Sequence, residues 1–332
     1  MTALDTPAVA AGSVWATGQD TPAVQRRGRY VPESMAHPAK MLPAVAAHAI
    51  TTYTRPGELV LDPMCGIGTT LVEALHHDRR AIGVEYEARW AEIARTNINH
   101  TGPVRRGHGT VYTGDARHLD WILPPELHGQ AALVVTSPPY GPSTHGRVTT
   151  DHTGVHKRHH LYGDLLDRGN LANIGHHRLL AGFTRILTLT APFLRPGGRV
   201  VITVRPWREH AELIDLPAQI AACGRAAGLV PVERCVALLG RATEQGGFVA
   251  RGSFFQRDFI RRQRARGLPL HLIAHEDVIV LARLLPGSSP ATTATATTTT
   301  ETTGVLEQGR RGGLSTAQTG PVDARPGTDP NP

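Results

Sequence analysis

The sequence predicts a doubly wound α/β fold, with a mostly parallel sheet of seven strands and helices on both faces. Three observations support this prediction. Short apolar runs recur through the middle of the chain, segments with helical periodicity separate them, and several runs end in an acidic residue. Strands that alternate with helix-length segments indicate crossover connections, which make neighbouring strands parallel.

The predicted elements follow one another in a regular order. The strands share a short, mainly apolar sequence: ELVLD (58–62), AIGVE (81–85), TVYTGD (110–115), ALVVTS (132–137), RVVITV (199–204), VPVERCVALL (230–239) and DVIVLAR (277–283). The segments between them have apolar residues at helical spacing. We predict helices over 69–77, 87–100, 177–193 and 210–227.

The two ends of the chain differ in composition from its middle. Residues 286–332 are rich in Thr, Pro and Gly, and residues 1–30 are similar but end in the basic run QRRGRY. Few large apolar side chains are present to form a core, which is typical of disorder. We therefore expect a disordered arm, one domain over 31–285 and a disordered tail. Within the domain, 141–176 and 241–270 exceed ordinary loop lengths and are expected to be inserted loops.

The chain is basic, with a net charge of +7 and a pI of about 9.8. Residues 251–267 carry six Arg against one Asp, interleaved with phenylalanines. Such a pattern suits phosphate contacts and base stacking, although an amphipathic helix with a solvated arginine face has the same pattern. The residues predicted to contact nucleic acid are Arg257, Arg261, Arg262 and Arg264, together with Lys157 and Arg158 in a histidine-rich loop.

Several classes of protein are not indicated by the sequence. The three cysteines include no closely spaced pair, so neither a zinc ribbon nor a disulfide framework is expected. The seven histidines between 145 and 177 lack a clear metal-ligand spacing, so no metal is predicted. No apolar run approaches the ~20 residues of a membrane span, and no secretion signal is evident. We expect a cytoplasmic protein that does not bind membranes.

A glycine turn follows the first predicted strand, in the stretch DPMCGIGTT. Asp62 ends the strand, and Gly66 and Gly68 allow a tight turn close to a ligand. Glu85 and Asp115 end the next two strands, and ligands of such sheets bind beyond the carboxyl ends of the strands. Glu85 is placed to accept hydrogen bonds from ribose hydroxyls and Asp115 to approach an adenine. The alternative is that these acids only cap helices and turns.

A second motif, TSPPYG, follows the fourth predicted strand. Pro138 and Pro139 stiffen the backbone into a corner. The corner exposes the Ser137 hydroxyl, the Pro138 carbonyl and the Tyr140 ring, which suit a planar substrate that bears an amino group. The alternative is a proline-stiffened loop with the tyrosine packed inward.

The two motifs, in this order, resemble the cofactor and catalytic motifs of S-adenosylmethionine-dependent amino-methyltransferases, which methylate cytosine or adenine in DNA. HPAKMLPAVAAHAI (37–50) resembles the motif that helps to hold the methionine part of the cofactor, and HEDVIVLAR (275–283) resembles the closing strand. The resemblance implies a Rossmann-like methyltransferase sheet and S-adenosyl-L-methionine as cofactor. The implied cofactor residues are His37, Pro38, Asp62, Pro63, Cys65, Gly66, Gly68, Thr69, Glu85 and Asp115, with Cys65 interpreted as a packing residue. The implied base-binding residues are Ser137, Pro138, Pro139 and Tyr140.

The substrate is less well defined than the chemistry. Ser137, where Asp or Asn stands in other members, favours cytosine N4 over adenine N6, and DNA over RNA. The glycine turn also resembles tRNA guanosine-N2 methyltransferases, which usually carry an N-terminal RNA-binding domain and begin the catalytic motif with Asp. Protein glutamine methylation, whose enzymes prefer Asn at that position, is a third alternative. A non-catalytic module is a fourth, but it predicts damaged motifs, whereas here every key position is filled. The sequence does not indicate protein partners.

Overall fold

The computed structural model describes residues 12–100, 108–139, 147–151, 154–158, 167, 169–209, 212–252 and 254–285. In this part of the chain the strands are β1 (Val14–Trp15), β2 (Leu59–Asp62), β3 (Arg80–Glu85), β4 (Gly109–Thr113), β5 (Ala131–Thr136), β6 (Arg147–Asp151), β7 (Gly154–Arg158), β8 (Leu194–Val204), β9 (Trp207–Glu209), β10 (Glu212–Ile214), β11 (Val230–Leu238), β12 (Gly240–Ala242), β13 (Phe248–Ala250) and β14 (His275–Ala282). The α-helices are α1 (Pro22–Arg26), α2 (Pro43–Tyr53), α3 (Thr69–His76), α4 (Ala88–His100), α5 (Leu119–Ile122), α6 (His176–Thr190), α7 (Leu216–Ala226) and α8 (Phe254–Ala265).

The main sheet has the strand order β1-β11-β14-β8-β5-β2-β3-β4. Strand β14 is antiparallel to both of its neighbours, and the other pairings are parallel. The predicted doubly wound, mostly parallel α/β fold is confirmed. The direction of winding reverses between β2 and β5, which is where such sheets bind ligands.

Helices cover both faces of this sheet because the strand side chains alternate between two apolar layers. Leu61, Val134 and Ile202 pack into the layer that includes α6 and α7. The alternate residues of the same strands pack into a second layer with α2, α3 and α4. Both layers bury the side chains of the central strands, and this packing positions the ends of these strands at the edge of the sheet.

The sheet has an eighth strand that the sequence did not predict. Strand β1 pairs in parallel with β11, with Val14 opposite Val236 and Trp15 opposite Ala237. Trp15 is only 3% exposed. The predicted disorder of residues 1–30 is therefore wrong over 12–30. A composition average gives little weight to a single tryptophan that covers an open sheet edge, and residues 1–11 lie outside the described part.

The two predicted inserted loops contain regular elements. Residues 241–270 include β13, most of β12 and α8, so this segment is a hairpin followed by a helix rather than a bare loop. Residues 141–176 include the β6–β7 hairpin, and much of this segment lies outside the described residues. The predicted tail, 286–332, lies wholly outside them.

Candidate active site

The two sequence motifs meet at one edge of the sheet. Because β2 and β5 are parallel neighbours, their carboxyl ends lie side by side. A cavity of about 1000 Å³ opens there and is lined both by the glycine turn and by the Ser137–Pro139 corner. This volume is at the upper end of the range for small-molecule sites, which leaves room for a cofactor and part of a substrate.

The two glycines of the turn, Gly66 and Gly68, have different structural roles. Both have left-handed backbones, with φ of 53° at Gly66 and 80° at Gly68, a region that favours glycine. A Cβ on Gly66 would lie 3.3 Å from Nε2 of His37, and Gly66 lines the cavity. A Cβ on Gly68 would lie 3.2 Å from Cβ of Ala94, so Gly68 allows α4 to pack closely against the start of α3.

Asp62 fastens the end of β2 to the beginning of α3. Its carboxylate is 3% exposed and accepts hydrogen bonds from Thr70 Oγ1 at 2.7 Å and from the Met64 amide at 3.1 Å. Burial raises the pKa of Asp62 to about 6. The sequence did not identify Thr70, because the pairing depends on how the helix docks on the sheet.

Glu85 ends β3 and is almost completely buried beside the turn. Its two oxygens accept hydrogen bonds from the amides of Gly66 at 2.8 Å and Glu87 at 2.9 Å. Burial raises the pKa of Glu85 to about 7. Each oxygen keeps a free lone pair, so this cavity-lining carboxylate retains the capacity to accept further hydrogen bonds, as the predicted ribose contact requires.

Asp115 combines the two roles that the sequence left open. It lines the cavity and also caps the short 3-10 helix Ala116–His118, where it accepts a hydrogen bond from the Arg117 amide at 2.9 Å. The Arg117 side chain pairs with it at 2.6 Å. Burial opposes ionisation of Asp115, but the hydrogen bonds from Arg117 outweigh it and lower the pKa.

The other predicted cofactor residues surround the turn. His37, Pro38, Pro63, Cys65 and Thr69 all line the cavity. A Cβ on Gly83 would lie 2.7 Å from the Cys65 sulfur, so this thiol packs directly on β3. Burial raises the pKa of Cys65 well above its usual range, which suits the predicted packing role.

The predicted base-binding corner is described only in part. Ser137, Pro138 and Pro139 follow β5 and line the cavity. Tyr140 lies outside the described residues, as do the side chains of Lys157 and Arg158.

Helix α8 brings part of the arginine segment to the cavity. Arg262 and Phe259 line it, whereas Arg257, Arg261 and Arg264 do not. Arg261 and Arg262 pair with Asp258 at 2.5 and 2.9 Å.

The cavity also has lining residues that the sequence did not predict. Arg205 and Trp207 follow β8, and Glu276 begins β14, which reaches the same edge because it runs antiparallel. Glu276 is 7% exposed and pairs with Arg205 at 3.5 Å. For Arg205 and Trp207 the sequence did offer a signal, because both follow closely after the predicted strand 199–204. Arg26 of α1 is another missed residue, from the segment predicted to be disordered.

No helix among the described residues is long and apolar enough to cross a membrane. In the same part of the chain, no group of three or more His, Cys, Asp or Glu side chains is arranged to hold a metal ion.

The fold and the cavity define a class of protein that binds a cofactor at the carboxyl ends of parallel strands. Comparison with known proteins agrees with this class. Residues 7–96 match the family described as DNA methylase, of the N6 and N4 type. This segment runs from the N-terminal elements through the glycine turn into α4. Residues 7–96 are therefore similar to the DNA methylase family, as the motifs indicated, and the cofactor is S-adenosyl-L-methionine. The cavity suits that cofactor, because the glycine turn allows close approach of the backbone and the Glu85 carboxylate supplies hydrogen-bond acceptors beside it.

Among individual proteins, the chain is similar to tRNA (guanine(10)-N2)-dimethyltransferases. It is 32% identical over 142 residues to the one from Methanothermobacter thermautotrophicus, a match that covers 42% of this chain and 38% of that relative. It is 31% identical over 109 residues to the one from Methanocaldococcus jannaschii, covering 32% and 31%. The matches thus span well under half of these relatives. Among solved structures, TrmN from Thermus thermophilus has a TM-score of 0.45 and 18% identity, and covers 79% of this chain and 53% of that chain.

Proposed function

We propose that the protein transfers a methyl group from S-adenosyl-L-methionine to an exocyclic amino nitrogen of a nucleobase in a nucleic acid, with cytosine N4 in DNA as the favoured target. One observation carries the proposal: the glycine turn and the Ser137–Pro139 corner line one cavity at the ends of neighbouring strands. In this proposal a cofactor over the turn and a base at the corner share that cavity.

The residues at the corner address the main chemical difficulty, which is the weak nucleophilicity of such an amine. Its lone pair is delocalised into the ring. In this proposal the Ser137 hydroxyl and the Pro138 carbonyl accept its N–H groups, which returns electron density to nitrogen. S-adenosyl-L-methionine, when bound, supplies an electrophilic methyl group on a sulfonium sulfur. The N–C bond forms as the C–S bond breaks, its electron pair returns to sulfur, and the nitrogen releases one proton to solvent. Positioning and electrostatics provide the rate.

Binding of nucleic acid is supported by the position of α8. This helix carries Arg257, Arg261, Arg262 and Arg264, and Arg262 and Phe259 reach the cavity itself. Cationic side chains at the cavity entrance are suited to phosphates next to the reacting nucleotide. In duplex DNA the target base has to leave the stack to enter the cavity.

A second candidate target is guanine N2 in tRNA. The curated relatives named above favour it, although the matches cover only 38% and 31% of their lengths. The serine at position 137 favours cytosine. An adenine N6 target fits the same corner.

Product analysis separates these candidates. The protein is incubated with isotopically labelled S-adenosyl-L-methionine and either duplex DNA or bulk tRNA, and the nucleosides are identified by mass spectrometry. We expect labelled N4-methylcytosine from DNA. N6-methyladenine or N2-methylguanosine would reassign the target, and the absence of label from both nucleic acids would contradict amino-methyl transfer.

A further inference from the structure

The cavity contains a buried positive charge that the proposed chemistry does not use. Arg26, in the last turn of α1, lines the cavity and is only 6% exposed. Its guanidinium lies 5.6 Å from the centre of the Tyr30 ring. A buried arginine is costly unless a negative group compensates it.

The protein itself compensates this charge incompletely. Arg26 Nη2 donates to the Met41 carbonyl at 2.5 Å and Nη1 donates weakly to the Pro22 carbonyl at 3.4 Å. Among the described residues, Nε has no hydrogen-bond partner. The nearby carboxylate, Glu73, is fully buried and pairs with Arg29 at 2.9 Å. No ion pair joins Arg26 to a carboxylate among the described residues, and Glu73 acts on it only at longer range, which leaves its positive charge poorly compensated at this end of the cavity.

The position of Arg26 relates to the orientation of the cofactor. Glu85 ends β3 and Asp115 follows β4, on one side of the glycine turn, and they are the acids proposed for the ribose and adenine. Arg26 is hydrogen-bonded to Met41, at the end of the His37–Met41 segment that lines the cavity. An extended cofactor whose adenosine lies at the acids directs its amino-acid part towards this segment.

We propose that Arg26 binds the carboxylate of the methionine part of S-adenosyl-L-methionine. This inference rests on the proposed function, because it takes that cofactor as the ligand. A carboxylate suits a planar guanidinium, which can donate two parallel hydrogen bonds to it. Phosphates of a nucleic acid are a poorer match, since a side chain this deeply buried does not reach the backbone of a polymer.

The inference also assigns a function to the N-terminal segment. Gln25 accepts a hydrogen bond from the Ala44 amide at 2.9 Å through its side-chain oxygen, so α1 is fastened to the first turn of α2. The neighbouring Lys40 also lines this end, but it is partly exposed and donates to the His37 carbonyl at 2.5 Å. Arg26 therefore supplies the charge that is removed from solvent.

Calorimetry with two nucleosides tests the assignment without relying on activity. S-adenosylhomocysteine carries the amino-acid carboxylate, and 5′-methylthioadenosine lacks the amino-acid part. We expect Arg26→Gln to weaken S-adenosylhomocysteine binding roughly tenfold to a hundredfold and to leave 5′-methylthioadenosine binding unchanged. The matched control is Arg27→Gln, which alters an exposed neighbour outside the cavity and should change neither affinity.

Each other result is informative. Equal loss for both nucleosides, or loss for neither, would overturn the role of Arg26. If wild-type protein bound neither nucleoside, the proposed function itself would fail.

If Arg26→Gln does not fold, the wild-type protein is compared with S-adenosylhomocysteine and its decarboxylated analogue, and Arg26→Lys is measured in parallel. We expect the analogue to bind at least tenfold more weakly. Equal affinity for the two would overturn the inference.

Discussion

The Ser137 hydroxyl can be removed without altering the glycine turn. We expect Ser137→Ala to lower the rate of methyl transfer roughly tenfold to a hundredfold, because one hydrogen bond to the reacting amine is lost. Affinity for S-adenosylhomocysteine should not change, because Ser137 follows β5 and lines the cavity outside the glycine turn. Single-turnover rates and calorimetry measure the two effects. Ser13→Ala, at an exposed serine outside the cavity, is the control, and an equal loss of rate and affinity in Ser137→Ala would contradict the proposed role.

We expect Glu85 to make the stability of the protein depend on pH. The carboxyl has an ordinary pKa of 4.5, and burial raises the pKa to about 7 in the fold. The folded state thus holds the proton more tightly, so the stability contributed by this group is present below pH 4.5 and is lost as the pH rises through 7. We expect Glu85→Gln to gain up to about 3 kcal/mol relative to wild type between pH 5 and pH 8.

Urea unfolding at both pH values measures this difference. Asp62 also titrates in this window, with a pKa of about 6, but it is present in both proteins. A variant whose stability follows the wild-type curve at every pH would show that Glu85 ionises normally in the fold.

Individual residues of the cavity were predictable where chain direction alone places them. Asp62, Glu85 and Ser137 end or follow parallel strands, and the ends of such strands always meet at one edge. Thr70 and Arg26 were not predictable in this way. Their partners, the Asp62 carboxylate and the Met41 carbonyl, are brought to them by packing between elements, which leaves no local sequence pattern.

Helix α8 contributes charge to the proposed nucleic-acid contacts, but its arginines are not equivalent. Arg261 and Arg262 share the Asp258 carboxylate, whereas Arg257 is exposed and forms no ion pair among the described residues. We expect Arg257→Gln to reduce the slope of log affinity against log salt by about 1, as loss of one phosphate contact does. Fluorescence anisotropy with a DNA duplex over a range of salt concentrations measures this slope.

The matched control for this prediction is Arg225→Gln, at an exposed arginine of α7 that does not line the cavity. Its slope should equal that of wild type. Equal slopes for all three proteins would remove Arg257 from the nucleic-acid interface.

The elements themselves were predicted unevenly. Strands β2, β3 and β5 lie within a residue or two of their predicted bounds, because buried parallel strands have continuous apolar runs. Helix α8 was predicted only as the alternative interpretation of residues 251–267, because its arginines and phenylalanines lie within a long gap between strands. The hairpin β12–β13 was missed, because its strands are only three residues each and partly exposed.

The main sheet has one more strand than the sequence indicated, because β1 pairs with the edge of β11 that would otherwise be open. An unpaired edge is a site for association with other chains. The same N-terminal segment seals the second apolar layer through Trp15 and places Arg26 in the cavity. We therefore expect folding of residues 12–42 to be coupled to formation of the end of the cavity that Arg26 lines.

Trp15 allows this coupling to be tested with a control of the same chemistry. The Trp15 ring is 3% exposed and lies 4.3 Å, between ring centroids, from His48 of α2, whereas Trp121 is 88% exposed. We expect Trp15→Ala to lower the free energy of unfolding by about 3 kcal/mol or more and Trp121→Ala to change it by less than about 0.5 kcal/mol. Urea unfolding followed by circular dichroism measures both.

Because loss of Trp15 loosens β1 and α1 together, Trp15→Ala should also weaken S-adenosylhomocysteine binding under conditions where the rest of the sheet stays folded. A Trp15→Ala protein as stable as Trp121→Ala would show that the N-terminal strand is not part of the folded sheet.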